Sequence, residues 1–401
     1  MVRVSRKKPP TSIAPFAGAC LLAAVVVLAA ACAVRAPLTA TGDGLGRTLR
    51  LLGSAAYPAG GLTVPGGPSV GSLSGLAFDR QTGQWVAASD ETVQARLAWL
   101  DIEFGPTLTV RPLRFTFLGP GPGLPADAVV GLEPESLVVM PDGSFVTSIE
   151  GYHDTKDMVH QPALAFVARD GGVTQLVRPR AHFAIVPGDR TRGVRHNLGL
   201  ESLTRTPDGR LLSGLEQPLA QDGPMSSVAR GGIVRLLEFV ERPGRGWTPG
   251  REWAYPLEAT AIVPGYDRPC EDGQNGLSDL LALDNDRWLA LERACLLGRP
   301  GAPAYNPVRV FEVNTEGADD VSGLPSLAGH QIRLLSKRSV LDVTAVLPRL
   351  ARAAPVFAPG SNFEALAFGP AGPRGERTVV LMSDDNLRAT QTTAFLWLAL
   401  P

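Results

Sequence analysis

The sequence has no excess of charge of either sign, because 38 Lys and Arg residues and 39 Asp and Glu residues leave a formal net charge of −1. Proteins that bind nucleic acid through phosphate contacts normally present a basic face. We therefore expect no nucleic-acid partner. The chain also lacks an HExxH zinc motif, a P-loop and a GxGxxG fingerprint, which argues against three common classes of enzyme.

Long stretches without helix-breaking residues are also scarce. The 401 residues include 44 Gly and 35 Pro, which favour turns and interrupt helices. With 44% hydrophobic residues the chain can bury a large core. This composition favours a fold of short strands joined by turns.

The N-terminal segment has the pattern of an export signal. Basic residues precede an uncharged, mostly apolar run from Phe16 to Val34, as is typical of a signal peptide. Within this run, Leu28 to Cys32 resembles a bacterial lipobox, in which Cys32 would be lipidated, although the leucine lies one position further from the cysteine than the motif prefers. Cleavage after Ala33 or Ala36 without lipid, and an uncleaved anchor, are the alternatives. We expect an exported, periplasmic or cell-surface protein that meets the membrane only through this segment.

Export changes how the four cysteines are interpreted. Cys20 and Cys32 belong to the predicted signal, which leaves Cys270 and Cys295 as an even pair in an oxidising compartment. They flank one predicted hairpin, where antiparallel strand ends lie close enough for a disulfide. Two thiolates would supply only half a zinc shell. We therefore predict a Cys270–Cys295 bridge.

A β-hairpin unit repeats along the chain. In its clearest copy, from Gly131 to Gly151, an acidic entry leads into an apolar strand, a Pro-Asp-Gly turn and a second strand that ends in Glu150. Five copies align at intervals of 61 to 86 residues, and such repeats are typical of propellers. The aligned positions are Ser74, Glu135, Glu201, Ser278 and Glu364.

The repeats predict an all-β fold, a β-propeller with five or six blades, preceded by the export signal. We expect residues 1–36 to form the signal, residues 37–64 a Gly/Pro-rich lead-in and residues 65–401 the propeller. A possible strand at Arg47 to Leu52 could close the ring against the C-terminus. We expect the protein to be a monomer.

The ordered motifs resemble a known family. Two hairpins have the form ESLxxxPDGxxxxxxE, an opening SLSGLxxD is followed by SDE, and NGLSDLLAL leads to LALER. Over roughly residues 65 to 400 this set is similar to the phytase-like domain family, often described as having esterase-like activity. The resemblance implies a β-propeller with carboxylates gathered near its axis.

Acids recur at the hairpin ends, although glutamate is a poor strand former. Glu135 and Glu150 are 15 residues apart, and so are Glu201 and Glu216. If equivalent strand ends face one mouth of the channel, their carboxylates repel one another unless they are protonated or bind a cation, and such hard oxygen ligands suit Ca²⁺. The predicted calcium ligands are Glu135, Glu150, Glu201, Glu216 and Glu364.

A bound calcium ion would attract an anionic ester and could activate water. Glu135 and Glu201 are the candidate catalytic carboxylates, and His153 is a candidate general base. Basic residues beside the motifs could hold a small anionic ester substrate. These are Arg96, Arg195, His196 and Arg293.

Two classes of function remain open. The first is an exported hydrolase that uses a metal to cleave a phosphoester or a related ester. The second is a non-catalytic propeller that binds a ligand or an envelope protein, with its acids engaged by backbone amides or by arginines between blades. Two or more carboxylates that meet within metal-bridging distance of an open pocket favour the first class, and carboxylates that are each held by a partner across blades favour the second.

Overall fold

The computed structural model describes residues 49–91, 94–153, 159–270, 275–302, 304–343 and 361–400. The predicted signal, including Cys32, lies outside these residues. No helix within the described ranges is long and apolar enough to span a membrane.

The described residues are nearly all in strands or turns. Before the first blade come β1 (Arg50–Pro58), β2 (Leu62–Thr63) and β3 (Ser69–Val70). Blade 1 consists of β4 (Leu73–Asp79), β5 (Gln84–Ser89), β6 (Arg96–Glu103) and β7 (Thr109–Phe117). Blade 2 consists of β8 (Gly119–Pro120), β9 (Pro134–Val139), β10 (Phe145–Ile149), β13 (Ala163–Val167) and β14 (Gly172–Val177), with the small hairpin β11 (Tyr152–His153) and β12 (Val159–His160) between β10 and β13.

The later blades repeat this order. Blade 3 consists of β15 (Leu200–Arg205), β16 (Leu211–Leu215), β17 (Ile233–Arg242) and β18 (Gly246–Pro256). Blade 4 consists of β20 (Gly276–Ala282), β21 (Arg287–Arg293), β23 (Val308–Asn314) and β24 (Ser336–Asp342), beside the short pair β19 (Arg268–Pro269) and β22 (Leu296–Leu297). Blade 5 contains β25 (Asn362–Phe368), β26 (Thr378–Asp384) and β27 (Thr392–Ala399). Single 3₁₀ turns lie at Ala126–Val129 and Ala181–Phe183.

The ring is closed by the N-terminal strand. β1 pairs antiparallel with β27 and supplies the outermost strand of blade 5, so that the two ends of the described chain share one sheet. This confirms the strand that was expected to close the ring, although it runs over Arg50–Pro58 instead of Arg47 to Leu52. It comes from within the predicted lead-in. The described residues therefore form a propeller of five blades, which resolves the choice between five and six.

The first strand of each blade is the innermost. These strands, β4, β9, β15, β20 and β25, contact one another in a closed ring around a central channel. Hydrophobic clusters fill the gaps between neighbouring blades. Each blade packs between two neighbouring blades, so its central strands are buried on both faces and are nearly continuous apolar runs. In β27 every residue is buried. By contrast, the outermost strand β7 is partly exposed along its length.

The Pro-Asp-Gly turns fold as the sequence indicates. Gly143 and Gly209 have φ of 87° and 96°, a conformation that is open to glycine and strained for other residues. The Asp142 carboxylate accepts a hydrogen bond from the Ser144 amide at 2.9 Å. These turns fix the register of the inner hairpins of blades 2 and 3.

The predicted disulfide is confirmed. Cys270 and Cys295 are bonded, with Cα atoms 5.4 Å apart and a separation of 25 residues. For a loop of this length we expect reduction to lower the free energy of unfolding by about 3 kcal/mol. Urea unfolding of the protein with and without reductant measures this difference. Identical midpoints in the two conditions would contradict the expected contribution.

Candidate functional site

The five aligned positions of the sequence repeat share one structural feature. Near the start of each inner strand the register with the second strand shifts, which leaves an additional residue on the inner strand. Such a β-bulge bends the strand and changes the direction of a side chain. The bulges contain Ser74, Glu135, Glu201, Ser278 and Glu364. We call this end of the channel, where the inner strands begin, the carboxylate end.

Three of the predicted calcium ligands meet at the carboxylate end. Glu135 and Glu150 come from the inner hairpin of blade 2, and Glu201 comes from the inner strand of blade 3. One carboxylate oxygen from each lies within 4.8 Å of the other two. Their exposed fractions are only 7%, 2% and 5%. We call these three residues the glutamate trio.

Burial and mutual repulsion oppose ionisation of the trio. Burial raises the pKa of Glu135 well above its usual range, and the carboxylates of Glu150 and Asp90 raise it further. The pKa of Glu201 is raised by burial and then by Glu135 and Glu216. For Glu150, burial and the Glu216 carboxylate outweigh a hydrogen bond from the Gly199 amide, and the pKa is also raised. The trio thus lacks sufficient compensating charge within the described structure.

Arg293 provides part of the compensation. Its guanidinium lies 2.7 Å from Glu364, 3.1 Å from Glu216 and 3.7 Å from Glu201, and it thereby joins blades 3, 4 and 5. Burial lowers the pKa of Arg293, but these carboxylates outweigh burial and raise it. The five predicted ligands therefore divide into the trio and a pair, Glu216 and Glu364, held by Arg293.

The residue beside Arg293 has a different environment. Glu292 is fully buried and accepts hydrogen bonds from the Tyr255 hydroxyl and the Asn275 amide, both at 2.6 Å. It also forms an ion pair with Lys337. These contacts join blades 3 and 4, so this acid has a structural role.

A second group of acids lies beside Glu364. Asp90 follows β5 and is half-buried, and burial together with the charge of Glu364 raises its pKa to about 7. Asp384 is buried, and its pKa is raised by burial and by the same glutamate. Glu133 is half-buried and its pKa is raised by burial. A pKa near neutrality suits a group that accepts and returns a proton, which makes Asp90 a candidate. It is the aspartate of the SDE motif after the first hairpin, and it was not among the predicted site residues.

The other predicted site residues have partners outside the trio. His153 contacts Arg190, and its ring centroid is 5.2 Å from that of the exposed His196. Arg195 donates hydrogen bonds to the carbonyls of Pro218 and Gly223 at 3.0 and 2.9 Å. Arg96 forms an ion pair with Glu91. Of the four predicted substrate-binding residues, only Arg293 forms ion pairs with the glutamates in the described part of the chain.

Two bulges carry serine instead of glutamate. Ser74 and Ser278 are 3% and 2% exposed, and their hydroxyls have no hydrogen-bond partner among the described residues. Buried hydroxyls normally have a partner. Both positions were visible in the sequence alignment, but only the acids among the aligned residues were given a chemical role.

Asp279 crosses the channel below the carboxylate end. Its carboxylate accepts a hydrogen bond from the Ser136 hydroxyl of blade 2 at 2.9 Å and another from the Leu366 amide of blade 5 at 2.7 Å. Burial raises its pKa from 3.8 to about 7, even though these hydrogen bonds lower it. Asp279 therefore joins blades 2, 4 and 5 across the axis.

The raised pKa of Asp279 makes stability depend on pH. Between about pH 4 and 7 the folded protein keeps a proton that the unfolded chain has released, so this group lowers stability as pH rises, by up to about 1.4 kcal/mol per pH unit. We therefore expect the stability of an Asp279→Asn variant, relative to the parent, to increase as the pH rises from 4 to 7. Urea unfolding of both proteins from pH 4 to 8 measures the difference. A constant difference would contradict the assignment, because the other buried acids are present in both proteins.

One stretch matches the letters of a serine-hydrolase motif. Gly67 to Gly71 reads GPSVG, which fits GxSxG. Ser69, however, is exposed and lies in β3, which pairs with β2. The nucleophile elbow requires a sharp turn from a strand into a helix. This stretch is therefore not a nucleophile elbow.

Several solved structures match over most of the chain. An endo-arabinase from Bacteroides thetaiotaomicron is 8% identical, covers 86% of this chain and 96% of its own, and has a TM-score of 0.41. A protein of unknown function from Dyadobacter fermentans is 10% identical, with coverages of 88% and 100% and a TM-score of 0.40. A glucose dehydrogenase is 12% identical, with coverages of 88% and 99% and a TM-score of 0.30. The comparison with curated proteins gave no match.

The comparison with family models agrees with the ordered motifs. The model described as "Phytase-like: Esterase-like activity of phytase" matches residues 68–387. This range covers every inner strand and all five bulges. The chain therefore belongs to the phytase-like family, and its propeller is the fold of that domain.

Proposed function

We propose that the protein is an exported hydrolase that uses calcium to cleave a small anionic ester, with phosphoesters as the preferred class. The observation that carries the proposal is the glutamate trio, three buried carboxylates within 4.8 Å of one another. Such a cluster does not stabilise the sheet, because each buried charge costs free energy unless it is paired. A divalent cation would supply the missing charge.

The donor set fits calcium. Ca²⁺ takes six to eight oxygen ligands at 2.3–2.6 Å, so two oxygens on opposite sides of the ion are about 5 Å apart. The oxygens of the trio satisfy this limit. The buried hydroxyls of Ser74 and Ser278 are further oxygen atoms without a hydrogen-bond partner in the described chain. In this proposal Glu135, Glu150 and Glu201 hold the ion.

Residues around the trio have roles that follow from their contacts. Arg293 keeps Glu216 and Glu364 in place. Asp90, whose pKa is raised to about 7 in the calcium-free protein by burial and by Glu364, accepts a proton from the attacking water and returns it to the leaving group. When bound, calcium supplies a positive centre for an ester oxygen and lowers the pKa of a bound water. The exposed His196 can donate a hydrogen bond to an anionic substrate.

Export is part of the proposal. The basic and apolar N-terminal segment and the lipobox-like stretch before Cys32 support it. The Cys270–Cys295 disulfide is consistent with an oxidising compartment. The protein would then act in the periplasm or at the cell surface, where millimolar calcium can fill a weak site.

Substrate assays test the proposed activity. We expect the purified protein to cleave p-nitrophenyl phosphate or bis-p-nitrophenyl phosphate faster than p-nitrophenyl acetate, and a chelator to abolish the cleavage. An Asp90→Asn variant should lose about 10²–10⁴-fold in kcat while it still binds calcium, because only proton transfer is removed. Asp101→Asn is the matched control, because the Asp101 side chain on β6 is 47% exposed and pairs with Arg111 at the surface. Chelator-resistant cleavage, or full activity in the Asp90→Asn variant, would contradict the mechanism.

A non-catalytic binding module remains the second candidate. The observation that favours it is the hold of Arg293 on Glu216 and Glu364 across three blades, which gives these two acids a structural use. Calcium binding by the trio without cleavage of any ester in the panel would support this alternative.

A further inference from the structure

The end of the channel opposite the carboxylates contains a cavity of about 840 Å³. The second halves of all five inner strands contribute to its wall, through residues that include Leu76, Leu137, Leu203, Leu281 and Leu366. Ligand sites in proteins typically have volumes of about 300–1,000 Å³. The cavity is therefore large enough for a small organic molecule.

The cavity is separate from the glutamate trio. Asp279 and Ser136 form a hydrogen bond across the channel at 2.9 Å, and Asp279 also binds the Leu366 amide. Leu366 itself lines the cavity. These contacts lie between the two ends, so a molecule in the cavity would not touch the trio.

Aromatic side chains form one side of the cavity. The rings of Phe78 and Trp85 are 5.2 Å apart, and those of Trp85 and Phe104 are 5.6 Å apart. All three residues line the cavity, as does Phe368. Phe78 and Phe368 are 41% and 37% exposed, which is unusual for large apolar residues around one opening. The wall is suited to the apolar part of a ligand.

The charged residues of the wall are mostly basic. Arg80 and Arg205 line the cavity, and neither forms an ion pair with another described residue. The Nε atom of Arg205 is buried and has no hydrogen-bond partner in the same part of the chain. The acid Asp79 is already paired with Arg169. The cavity thus combines apolar walls with guanidinium groups that have no carboxylate partner among the described residues.

We propose that this cavity is a second binding site, for a small amphiphilic anion. The apolar body of the ligand packs against Phe78, Trp85 and Phe104, and a single carboxylate or sulfonate binds Arg205 with help from Arg80. Charge-assisted hydrogen bonds from arginine to such groups are strong and directional. Burial of the apolar body supplies the remaining affinity.

Two matched fluorescent probes test the site. 1-Anilinonaphthalene-8-sulfonate carries an apolar body and a sulfonate, and N-phenyl-1-naphthylamine is its neutral analogue. We expect saturable binding of the anionic probe with one site per chain, and displacement by decanoate. Arg205→Gln should weaken binding of the anionic probe about tenfold or more and change binding of the neutral probe less than twofold.

The rim variants test the location of the site independently. Phe368→Asp should weaken binding of both probes, whereas Phe117→Asp should change neither. Phe117 is at least as exposed, 46% against 37%, but it ends β7 at the carboxylate end. Circular dichroism checks that each variant is folded. Absence of saturable binding, or equal effects of the Phe368→Asp and Phe117→Asp substitutions, would overturn the proposal.

Discussion

Replacement of Arg293 by Gln is expected to lower the free energy of unfolding by about 3–5 kcal/mol at pH 7.5 without calcium. The guanidinium lies within 3.7 Å of three glutamates from two other blades. Its removal leaves these buried carboxylates with a much smaller compensating charge. At pH 5 the loss should be smaller, because acids whose pKa is raised bind protons as the pH falls.

Urea unfolding of the Arg293→Gln variant at both pH values measures this effect. Arg111→Gln is the matched control, since Arg111 also pairs with acids but is 54% exposed, and exposed pairs contribute at most about 1 kcal/mol. Added calcium should restore part of the stability that the Arg293→Gln variant loses. If the variant were as stable as the parent at pH 7.5, Arg293 would not compensate the charge of the glutamates.

Replacement of Glu135 by Gln is expected to raise the stability of the calcium-free protein by about 1–3 kcal/mol. None of the described residues donates a hydrogen bond to the Glu135 side chain or forms an ion pair with it, and burial and its neighbours oppose its charge. A neutral amide of the same shape removes that repulsion. The same change removes a calcium ligand, so calcium should stabilise the variant much less than the parent.

Thermal unfolding with calcium and with chelator measures both parts of this prediction. Glu103→Gln, at an acid that is 70% exposed at the end of β6, should change neither quantity. If the Glu135 carboxylate instead has a structural role, with a partner that stabilises the fold, the calcium-free Glu135→Gln variant should be less stable than the parent. That outcome would favour the binding-module alternative.

The sequence was sufficient to predict the propeller because the repeated hairpin occupies the same place, next to the channel, in each blade. Glu135 and Glu201 were aligned with Ser74 and Ser278 by motif alone, and all four lie in equivalent bulges. The closing strand and the disulfide were also predictable, since both follow from pairing of strand ends. Local sequence patterns were therefore sufficient to predict most of the fold.

The partners of the site residues were not predictable in the same way. Glu292 and Arg293 are adjacent at the end of β21, and successive side chains of a strand point to opposite faces. Which of the two meets the glutamates depends on how blades 3, 4 and 5 pack around the axis. The role of Arg293 in binding substrate stays a prediction, but its ion pairs with Glu216 and Glu364 were not foreseen. The position of Asp279 across the channel depends on the same packing.

Isothermal titration calorimetry with Ca²⁺ on the parent and on a Glu201→Gln variant tests the central claim most directly. Glu201 is the member of the trio that lies nearest to Arg293, and its carboxylate is one of the three proposed ligands. We predict one calcium ion per parent chain and affinity at least tenfold weaker in the variant. No binding by the parent, or equal affinity in the two proteins, would contradict the assignment of the glutamate trio as a calcium site.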